Sequence, residues 1–327
     1  MIFSAVQDNS TEPQPDPAGL LPYKDQPPRR FRVRTVLFPL LFLGLHWLIA
    51  NVAATVYLVV YVFLQGNTVN PLEILGDTGR LQQILTEQYP IISVIYAGVL
   101  IPFYFLFLYV QKGRDSRAVL LDRPTLKGIF PAVAMMVGAL GLTNIWFNLL
   151  TMWSEHSDSI HSLLDDYSEQ AGAFGPETSY FWLILGISIM APIAEELLFR
   201  GIIQGELRRA MPEWAAILIQ GLIFALFHMQ PIQISYVILP GMLLGIAYAW
   251  TGSLWVPIVM HISFNFLGSV LPSLVGNDEI LSNILGISEM GFILVGILSF
   301  IYLYRNYRSN QRAAKSTGLS GHFYSGV

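Results

Sequence analysis

The sequence has no cysteine and little charge. Without cysteine, disulfides and thiolate metal sites cannot form. Only 12% of the 327 residues are charged, whereas about a quarter of the residues in a soluble domain are charged. So little charge cannot cover the surface of a water-soluble globule, and 54% of the residues are hydrophobic. The composition therefore excludes an ordinary soluble protein and predicts a chain that is solvated by a lipid bilayer.

Long apolar segments divide the chain into predicted membrane spans. A transmembrane helix needs about 20 predominantly apolar residues, and such segments recur along most of the chain. The predicted fold class is all-α, a polytopic integral membrane protein with about eight transmembrane helices. The predicted spans are 35–64, 90–110, 129–151, 179–207, 213–229, 232–250, 254–273 and 286–304.

Changes between polar and apolar composition predict five regions. The first, 1–33, is rich in proline and lacks the apolar core of a signal sequence, which predicts a disordered cytosolic tail. Membrane helices one to three and their external loops occupy 34–178, and a core of helices four to seven occupies 179–273. Helix eight follows in 274–304, and a flexible cytosolic tail is predicted for 305–327.

Positive charge is predicted to lie almost entirely on one side of the membrane. When the N-terminus is placed in the cytosol, nearly all of the 18 lysine and arginine residues fall on the cytosolic side. The predicted external loop 152–178 contains acidic residues and no lysine or arginine. The positive-inside rule therefore predicts a multi-pass protein with both termini in the cytosol, in the cell membrane if the source is prokaryotic.

Predicted span four contains three ionisable residues close together, Glu195, Glu196 and Arg200. Glu196 and Arg200 are four residues apart, so they share one face of a helix and can pair. Pairing lowers the cost of placing both charges in lipid. Glu195 is rotated by about 100° from Glu196. The spacing thus predicts a structural pair, Glu196 with Arg200, and a reactive carboxyl, Glu195; the alternative is that both glutamates pair structurally.

Two later spans contribute histidines. His228 ends span five, and His261 precedes Asn265 by four residues on span seven, so the last two side chains can reach the same volume. Taken singly, each residue is explained by hydrogen bonding between packed helices. However, Glu195 and His228 lie at similar depths from the cytosolic ends of their spans, about 20 Å and about 22 Å. His261 is at about 12 Å, which agrees only if span seven starts deeper or is tilted. A carboxyl and two imidazoles that converge in a low-dielectric interior are typical of a reactive site.

Three short motifs in order carry a resemblance to a known family. They are Glu-Glu-x-x-x-Arg at 195–200, Phe-x-x-x-His at 224–228 and His-x-x-x-Asn at 261–265. This pattern resembles the CPBP family of CAAX-processing and bacteriocin-processing intramembrane endopeptidases, which includes the eukaryotic Ras-converting CAAX endopeptidase. The similarity covers about 180–270. Each motif is weak alone, but three of them in this order on separate helices are specific, and the eight-helix layout agrees with the family fold.

The resemblance implies an intramembrane endopeptidase that acts on a membrane-associated protein or peptide. It implies that Glu195 and His228 activate a water molecule for attack on a peptide carbonyl, and that His261 and Asn265 stabilise the oxyanion. A desolvated glutamate can act as base and then as acid to the leaving amine. Neutral histidine and asparagine are good oxyanion donors where water is excluded. The expected partners are the bilayer and the substrate, without nucleic acid.

The sequence leaves the metal requirement and two other functions open. Glu195, His228 and His261 have the ligand types of a Zn²⁺ site with two histidines and one carboxylate, but they lie on three helices and lack the His-Glu-x-x-His signature. A zinc protease and a metal-free glutamate-dependent protease are both compatible with the sequence. So are a non-catalytic bacteriocin-immunity or scaffold protein and a proton-coupled transporter, which also places glutamate, arginine and histidine in the membrane.

Overall fold

A computed structural model of the chain describes residues 29–64, 71–114, 119–172, 179–276 and 278–316. Over these residues the fold is all-α, without a strand, and the predicted fold class of an all-α polytopic membrane protein is confirmed. Most of the predicted disordered N-terminal tail lies outside the described residues, because the description begins at residue 29.

Eleven helices occur in the described part of the chain. Two of them, α7 and α10, are continuous helices that combine α-helical and π-helical turns. The helices are α1 (Val33–Leu64), α2 (Pro71–Gly76), α3 (Thr78–Glu87), α4 (Tyr89–Arg114), α5 (Leu126–Ser154), α6 (Asp158–Gly172), α7 (Tyr180–Arg208), α8 (Glu213–Phe227), α9 (Pro231–Thr251), α10 (Trp255–Val275) and α11 (Glu279–Ser316).

Among the described helices, seven are long and apolar enough to cross a bilayer: α1, α4, α5, α7, α9, α10 and α11. The remaining predicted span, 213–229, corresponds to α8, which has only 15 residues. At the helical rise α8 is about 22 Å long, which is shorter than the hydrocarbon core of roughly 30 Å. The eight predicted spans are therefore seven full-length candidates and one short helix.

Parts of the predicted polar regions are helical. The external connections predicted within 34–178 are not plain loops, because they contain α2, α3 and α6. The predicted flexible tail over 305–327 also begins as helix, since α11 continues without a break to Ser316. Its last residues include glutamine, arginine, alanine and lysine, all good helix formers. Residues 317–327 lie outside the described part of the chain.

Helix α7 lies at the centre of the main core. Every residue from Leu197 to Arg208 is buried, as expected for a helix that is surrounded by other helices on all sides. Leu198, Phe199 and Ile203 are fully buried and pack in one cluster with apolar residues of α1, α4, α8 and α9. The central position of α7 brings residues from several helices against its two glutamates.

Glycines allow the helices around the glutamates to approach closely. A Cβ atom at Gly186 of α7 would lie 2.1 Å from the carbonyl oxygen of Pro90 on α4, and one at Gly241 of α9 would lie 2.8 Å from Cδ1 of Phe224 on α8. Such distances are too short for any larger side chain without movement. Glycine at these positions, as in other tightly packed membrane helices, therefore sets the spacing of α4, α7, α8 and α9.

Candidate active site

Helix α7 gives the two glutamates different environments. Both lie in the α-helical turn Ala191–Glu196, between the π-helical stretches Leu183–Met190 and Leu197–Gln204. Turns of the π type are rare and occur frequently at functional sites. Consecutive residues are rotated by about 100°, so the two carboxyls point in different directions. Glu196 is fully buried, whereas the side chain of Glu195 is 20% exposed.

Glu196 and Arg200 form the ion pair that their spacing predicts. Nη1 of Arg200 donates to Oε1 of Glu196 at 2.7 Å, and both side chains are fully buried. Nη2 of Arg200 donates to the carbonyl of Gly241 at 2.8 Å, and the guanidinium carbon lies 4.6 Å from the centre of the Phe224 ring. Groups on α7, α8 and α9 thus contact the ion pair. Such contacts offset the cost of burying two charges away from water.

His261 on α10 connects the two glutamates. Its Nδ1 lies 2.7 Å from Oε1 of Glu196, and its Nε2 lies 3.8 Å from Oε2 of Glu195. Because the Glu196 carboxylate is paired with Arg200, it accepts hydrogen bonds, and Nδ1 of His261 carries the hydrogen. The distance from Nε2 to Glu195 exceeds a direct hydrogen bond. It is short enough for both atoms to contact the same water molecule or carbonyl oxygen.

His228 lies at the C-terminal end of α8. Its Nδ1 is 2.9 Å from the carbonyl oxygen of Phe224. A carbonyl only accepts, so Nδ1 donates and Nε2 of the neutral ring has the free lone pair. The Phe224 ring lies edge-on to both histidines, 4.9 Å from His228 and 5.8 Å from His261 between ring centres. The two imidazoles therefore pack on one ring, which places His228 beside the contact of His261 with the glutamates.

Asn265 is anchored by a contact with the backbone of α7. Its Nδ2 donates to the carbonyl of Ile187, in the first π-helical stretch of α7, at 2.9 Å. A side-chain amide nitrogen carries two hydrogens, so one remains for a further acceptor. The structure therefore brings Glu195, Glu196, Arg200, His228 and His261 together, and it ties Asn265 to the neighbouring turn of α7.

Sequence reasoning did not include His46 and Tyr96 in the candidate site. His46 on α1 is 4% exposed and Tyr96 on α4 is 3% exposed, and their ring centres are 5.6 Å apart. His46 also lies edge-on to Phe227, which directly precedes His228. One signal was present, because His46 is the only histidine or charged residue in the predicted span 35–64. Such a residue inside a membrane helix is a functional candidate by default.

The predicted zinc ligands do not fit a metal site in this arrangement. Within the described ranges, no three His, Asp or Glu side chains are placed so that they could hold one ion. Nδ1 of His261 is bonded to Glu196, and Nδ1 of His228 is bonded to the Phe224 carbonyl, so Nε2 is the remaining nitrogen of each ring. In the described structure these two nitrogens and the Glu195 carboxyl are not gathered around one point.

Comparison with known proteins points to the same part of the chain. Residues 177–267 match the model of a protein family described as type II CAAX prenyl endopeptidase, Rce1-like. The predicted family resemblance is confirmed. The matched segment contains Glu195, His228, His261 and Asn265, and it extends from α7 into α10. Helices α1 to α6 lie before it.

Two curated relatives are similar to part of the chain. The membrane-embedded CAAX protease MroQ of Staphylococcus aureus (strain USA300) is 36% identical over 88 residues, which are 25% of this chain and 36% of that protein. The putative membrane peptidase YdiL of Bacillus subtilis (strain 168) is 35% identical over 83 residues, 25% of this chain and 34% of that protein. The chain thus spans about a third of the length of these relatives. No solved structure matches it.

Proposed function

We propose that this protein is an intramembrane endopeptidase that hydrolyses a peptide bond of a membrane-associated protein or peptide. The observation that carries the proposal is the contact of His261 with both glutamates. The buried Glu196 is paired with Arg200 and holds the imidazole beside Glu195, which is partly exposed. The family match over 177–267 and the similarity to a CAAX protease and a putative membrane peptidase support this function.

In the proposed reaction, Glu195 and His228 activate the attacking water. Glu195 is outside the Glu196–Arg200 ion pair, and it is the more exposed of the two carboxyls. His228 has a free lone pair on Nε2 when its ring is neutral. Glu195 takes one proton of the water as the oxygen attacks the substrate carbonyl, while Nε2 of His228 accepts a hydrogen bond from the other hydrogen. Glu195 then delivers its proton to the leaving amine as the C–N bond breaks. No serine or cysteine nucleophile takes part.

His261 and Asn265 stabilise the oxyanion in this proposal. The neutral His261 ring has its hydrogen on Nδ1, toward Glu196, so Nε2 donates only in the protonated ring. In that form the charges of Glu195, Glu196, Arg200 and His261 sum to zero, which suits a low-dielectric interior. Asn265 contributes its second amide hydrogen. Fixed donors of this kind stabilise the charge that develops in the transition state.

We propose that the protease is glutamate-dependent. A Zn²⁺-dependent reaction would need Glu195, His228 and His261 to converge on one ion, and the described side chains are not placed in that way. The contacts that are present instead order the histidines, through Glu196 and through the carbonyl of Phe224. This assignment separates the two protease types that the sequence left open, and metal removal tests it.

The proposed function is tested by identifying new peptide termini in the membranes of cells that express the protein. The cells would carry the native chain, Glu195→Gln or the matched control Glu169→Gln at equal levels; Glu169 is an exposed glutamate of α6. We expect a set of termini that the native chain and the control produce and that Glu195→Gln abolishes. These termini would also identify the substrate.

Identical termini in all three samples would reject the protease. In that case the phenotype of a strain that lacks the gene distinguishes the remaining functions. Rescue by Glu195→Gln would favour an immunity or scaffold protein, because such a protein needs the fold and not the reactive carboxyl. Loss of rescue would favour a proton-coupled transporter, in which an intramembrane carboxyl carries the proton.

A further inference from the structure

Helices α1 and α4 bring two buried polar side chains close to the proposed active site. His46 is 4% exposed and Tyr104 is fully buried. Within the described ranges, Nδ1 of His46 and the hydroxyl of Tyr104 have no hydrogen-bond partner. Their rings are stacked, with centres 6.2 Å apart. Buried polar atoms without partners are unfavourable and uncommon, so two of them side by side indicate a site for a polar ligand.

An ion pair fixes the depth of His46 relative to Glu195. Arg34 of α1 donates to both carboxylate oxygens of Glu206 on α7, at 2.6 and 2.8 Å. His46 follows Arg34 by 12 residues and Glu195 precedes Glu206 by 11, so both lie about 17 Å from the ion pair along their helices. The two side chains are therefore at a common depth in their helices.

Aromatic packing holds His46 in place but leaves its Nδ1 without a partner. The ring lies 5.6 Å from Tyr96 and edge-on to Phe227 at 5.4 Å. Phe227 directly precedes His228, so α1 packs against the end of α8 that carries this proposed catalytic residue. The polar atoms of His46 and Tyr104 therefore lie in a fixed apolar frame where α1 packs against the end of α8.

We propose that His46 and Tyr104 bind a neutral backbone amide of the peptide substrate, next to the bond that faces Glu195. This inference rests on the proposed endopeptidase function and adds to it a site for recognition of the substrate backbone. An imidazole and a phenol can each donate and accept a hydrogen bond, as required for the N–H and C=O groups of a peptide. An anionic ligand is disfavoured, because the Glu195 carboxyl lies at the same depth as His46 and like charges repel.

His46 and Tyr104 lie outside the matched segment 177–267. The groups proposed for the chemical step, such as Glu195 and His228, lie within that segment. Substrate binding is thus assigned to helices that the family match does not cover, and the chemical step is assigned to helices that it does cover. Variants of His46 and Tyr104 should accordingly weaken substrate binding without affecting the groups that activate water.

The test measures binding of a peptide backbone in the absence of cleavage. The full chain with Glu195→Gln is purified in detergent, and its thermal unfolding is followed with increasing N-acetyl-leucyl-leucine N-methylamide, a probe with neutral amides only. We expect the probe to raise the melting temperature in a dose-dependent way. Tyr104→Phe and His46→Phe, made in the same chain, should each raise the apparent Kd about three- to tenfold, the loss of one neutral hydrogen bond.

Tyr248→Phe is the matched control. Tyr248 is also fully buried, but its hydroxyl accepts a hydrogen bond from the backbone N–H of Leu120 at 2.9 Å. Its loss should lower the melting temperature and leave the apparent Kd of the probe unchanged. Tyr104→Phe should show the opposite pattern, because it removes a hydroxyl without a partner and keeps the ring. The inference is wrong if the probe does not stabilise the Glu195→Gln chain, or if it stabilises all variants equally.

A second probe tests the chemical class of the ligand. N-acetyl-leucyl-leucine with a free carboxylate is compared with the methylamide on the chain that retains Glu195. We expect the acid to bind at least about tenfold more weakly, because its charge is repelled by Glu195. Equal or tighter binding of the acid would show that the site prefers a terminal carboxylate to a neutral amide. That result would overturn the assignment. Neither binding measurement depends on cleavage. The proposed endopeptidase function is tested separately, by the comparison of new peptide termini, so the two proposals can fail independently.

Discussion

His261 and Glu196 are hydrogen-bonded across 65 residues of sequence, with Nδ1 of His261 2.7 Å from Oε1 of Glu196. The same oxygen accepts a hydrogen bond from Arg200. One buried atom therefore orders a cation of α7 and an imidazole of α10. A carboxylate partner on one ring nitrogen fixes the tautomer and orientation of a functional histidine. Glu196 is thus a positioning residue in the proposed reaction, and it acts through His261.

Replacement of Glu196 by glutamine should affect both stability and turnover. The change removes the charge and keeps the size, so Arg200 remains buried without its counter-charge. We expect the free energy of unfolding to fall by about 3–5 kcal/mol, measured by unfolding of the purified protein in detergent. Hydrolysis should also fall, because the neutral amide oxygen of glutamine is a weaker acceptor for Nδ1 of His261 than the carboxylate is. Glu169→Gln, on the surface of α6, is the control.

The double variant Glu196→Met with Arg200→Met separates these two effects. Replacing both members of a buried ion pair by apolar residues is often neutral or stabilising, so the double variant should be more stable than Glu196→Gln. It should be inactive, because methionine gives Nδ1 of His261 no oxygen acceptor on α7. A double variant that recovers activity together with stability would show that Glu196 supports the fold alone.

His228→Gln should reduce turnover with little effect on stability. His228 is half-buried, and the hydrogen bond of its Nδ1 is local, to the carbonyl of Phe224. Loss of a general base typically costs 10² to 10⁴ in rate, so we expect a decrease of about that size in cleavage of the substrate identified from the peptide termini. His161→Gln is the control, since His161 is 64% exposed on α6. Unchanged cleavage by His228→Gln would remove this residue from the mechanism.

The parts of the fold that depend on local pattern could be predicted from the sequence. The lengths of the apolar segments predict the membrane helices, and the four-residue spacing predicts the contact of Glu196 with Arg200. The length of α11 could not be predicted in this way, because its polar end has helix propensity but no apolar face. The short α8 was also predicted as a full span, because hydropathy does not show where a helix ends relative to its neighbours.

The candidate site could be predicted only in part, because several contacts depend on packing between distant segments. Three motifs in order indicate that Glu195, His228 and His261 meet, but spacing gives no information on which glutamate His261 contacts. The common depth of His46 and Glu195 depends on the ion pair of Arg34 with Glu206, 172 residues away in sequence. Such contacts become visible only when the helices are placed side by side.

The absence of cysteine allows a direct test of the predicted orientation. Ser159→Cys on α6 and Ser309→Cys near the end of α11 are both exposed positions. With both termini in the cytosol, a membrane-impermeant maleimide should label Ser159→Cys in intact cells and Ser309→Cys only after the membrane is opened. The native chain, which has no cysteine, gives the background. The reverse pattern of labelling would invert the predicted orientation.

Removal of metal ions is expected to leave hydrolysis unchanged. The expectation follows from the placement of Glu195, His228 and His261, which do not converge as ligands in the described structure. Cleavage of the identified substrate would be measured before and after treatment with 1,10-phenanthroline. An activity that is lost with the chelator and restored by Zn²⁺, but not by Mg²⁺, would show that these residues rearrange around an ion and that the enzyme is a metalloprotease.

Gly186→Ala tests whether the close approach of α4 and α7 positions the proposed site. A Cβ atom there would lie 2.1 Å from the carbonyl oxygen of Pro90, a backbone atom that cannot move alone. We expect a loss of about 1–3 kcal/mol in stability and lower turnover, because the next residue, Ile187, accepts the hydrogen bond of Asn265. Gly286→Ala on α11 is the control. No atom lies within 4 Å of a Cβ added at Gly286. Because alanine has a higher helix propensity than glycine, this variant should be as stable as the native chain or slightly more stable. Equal stability and turnover of the two variants would mean that α7 can shift without cost. The close approach of α4 and α7 would then not be needed to position Asn265.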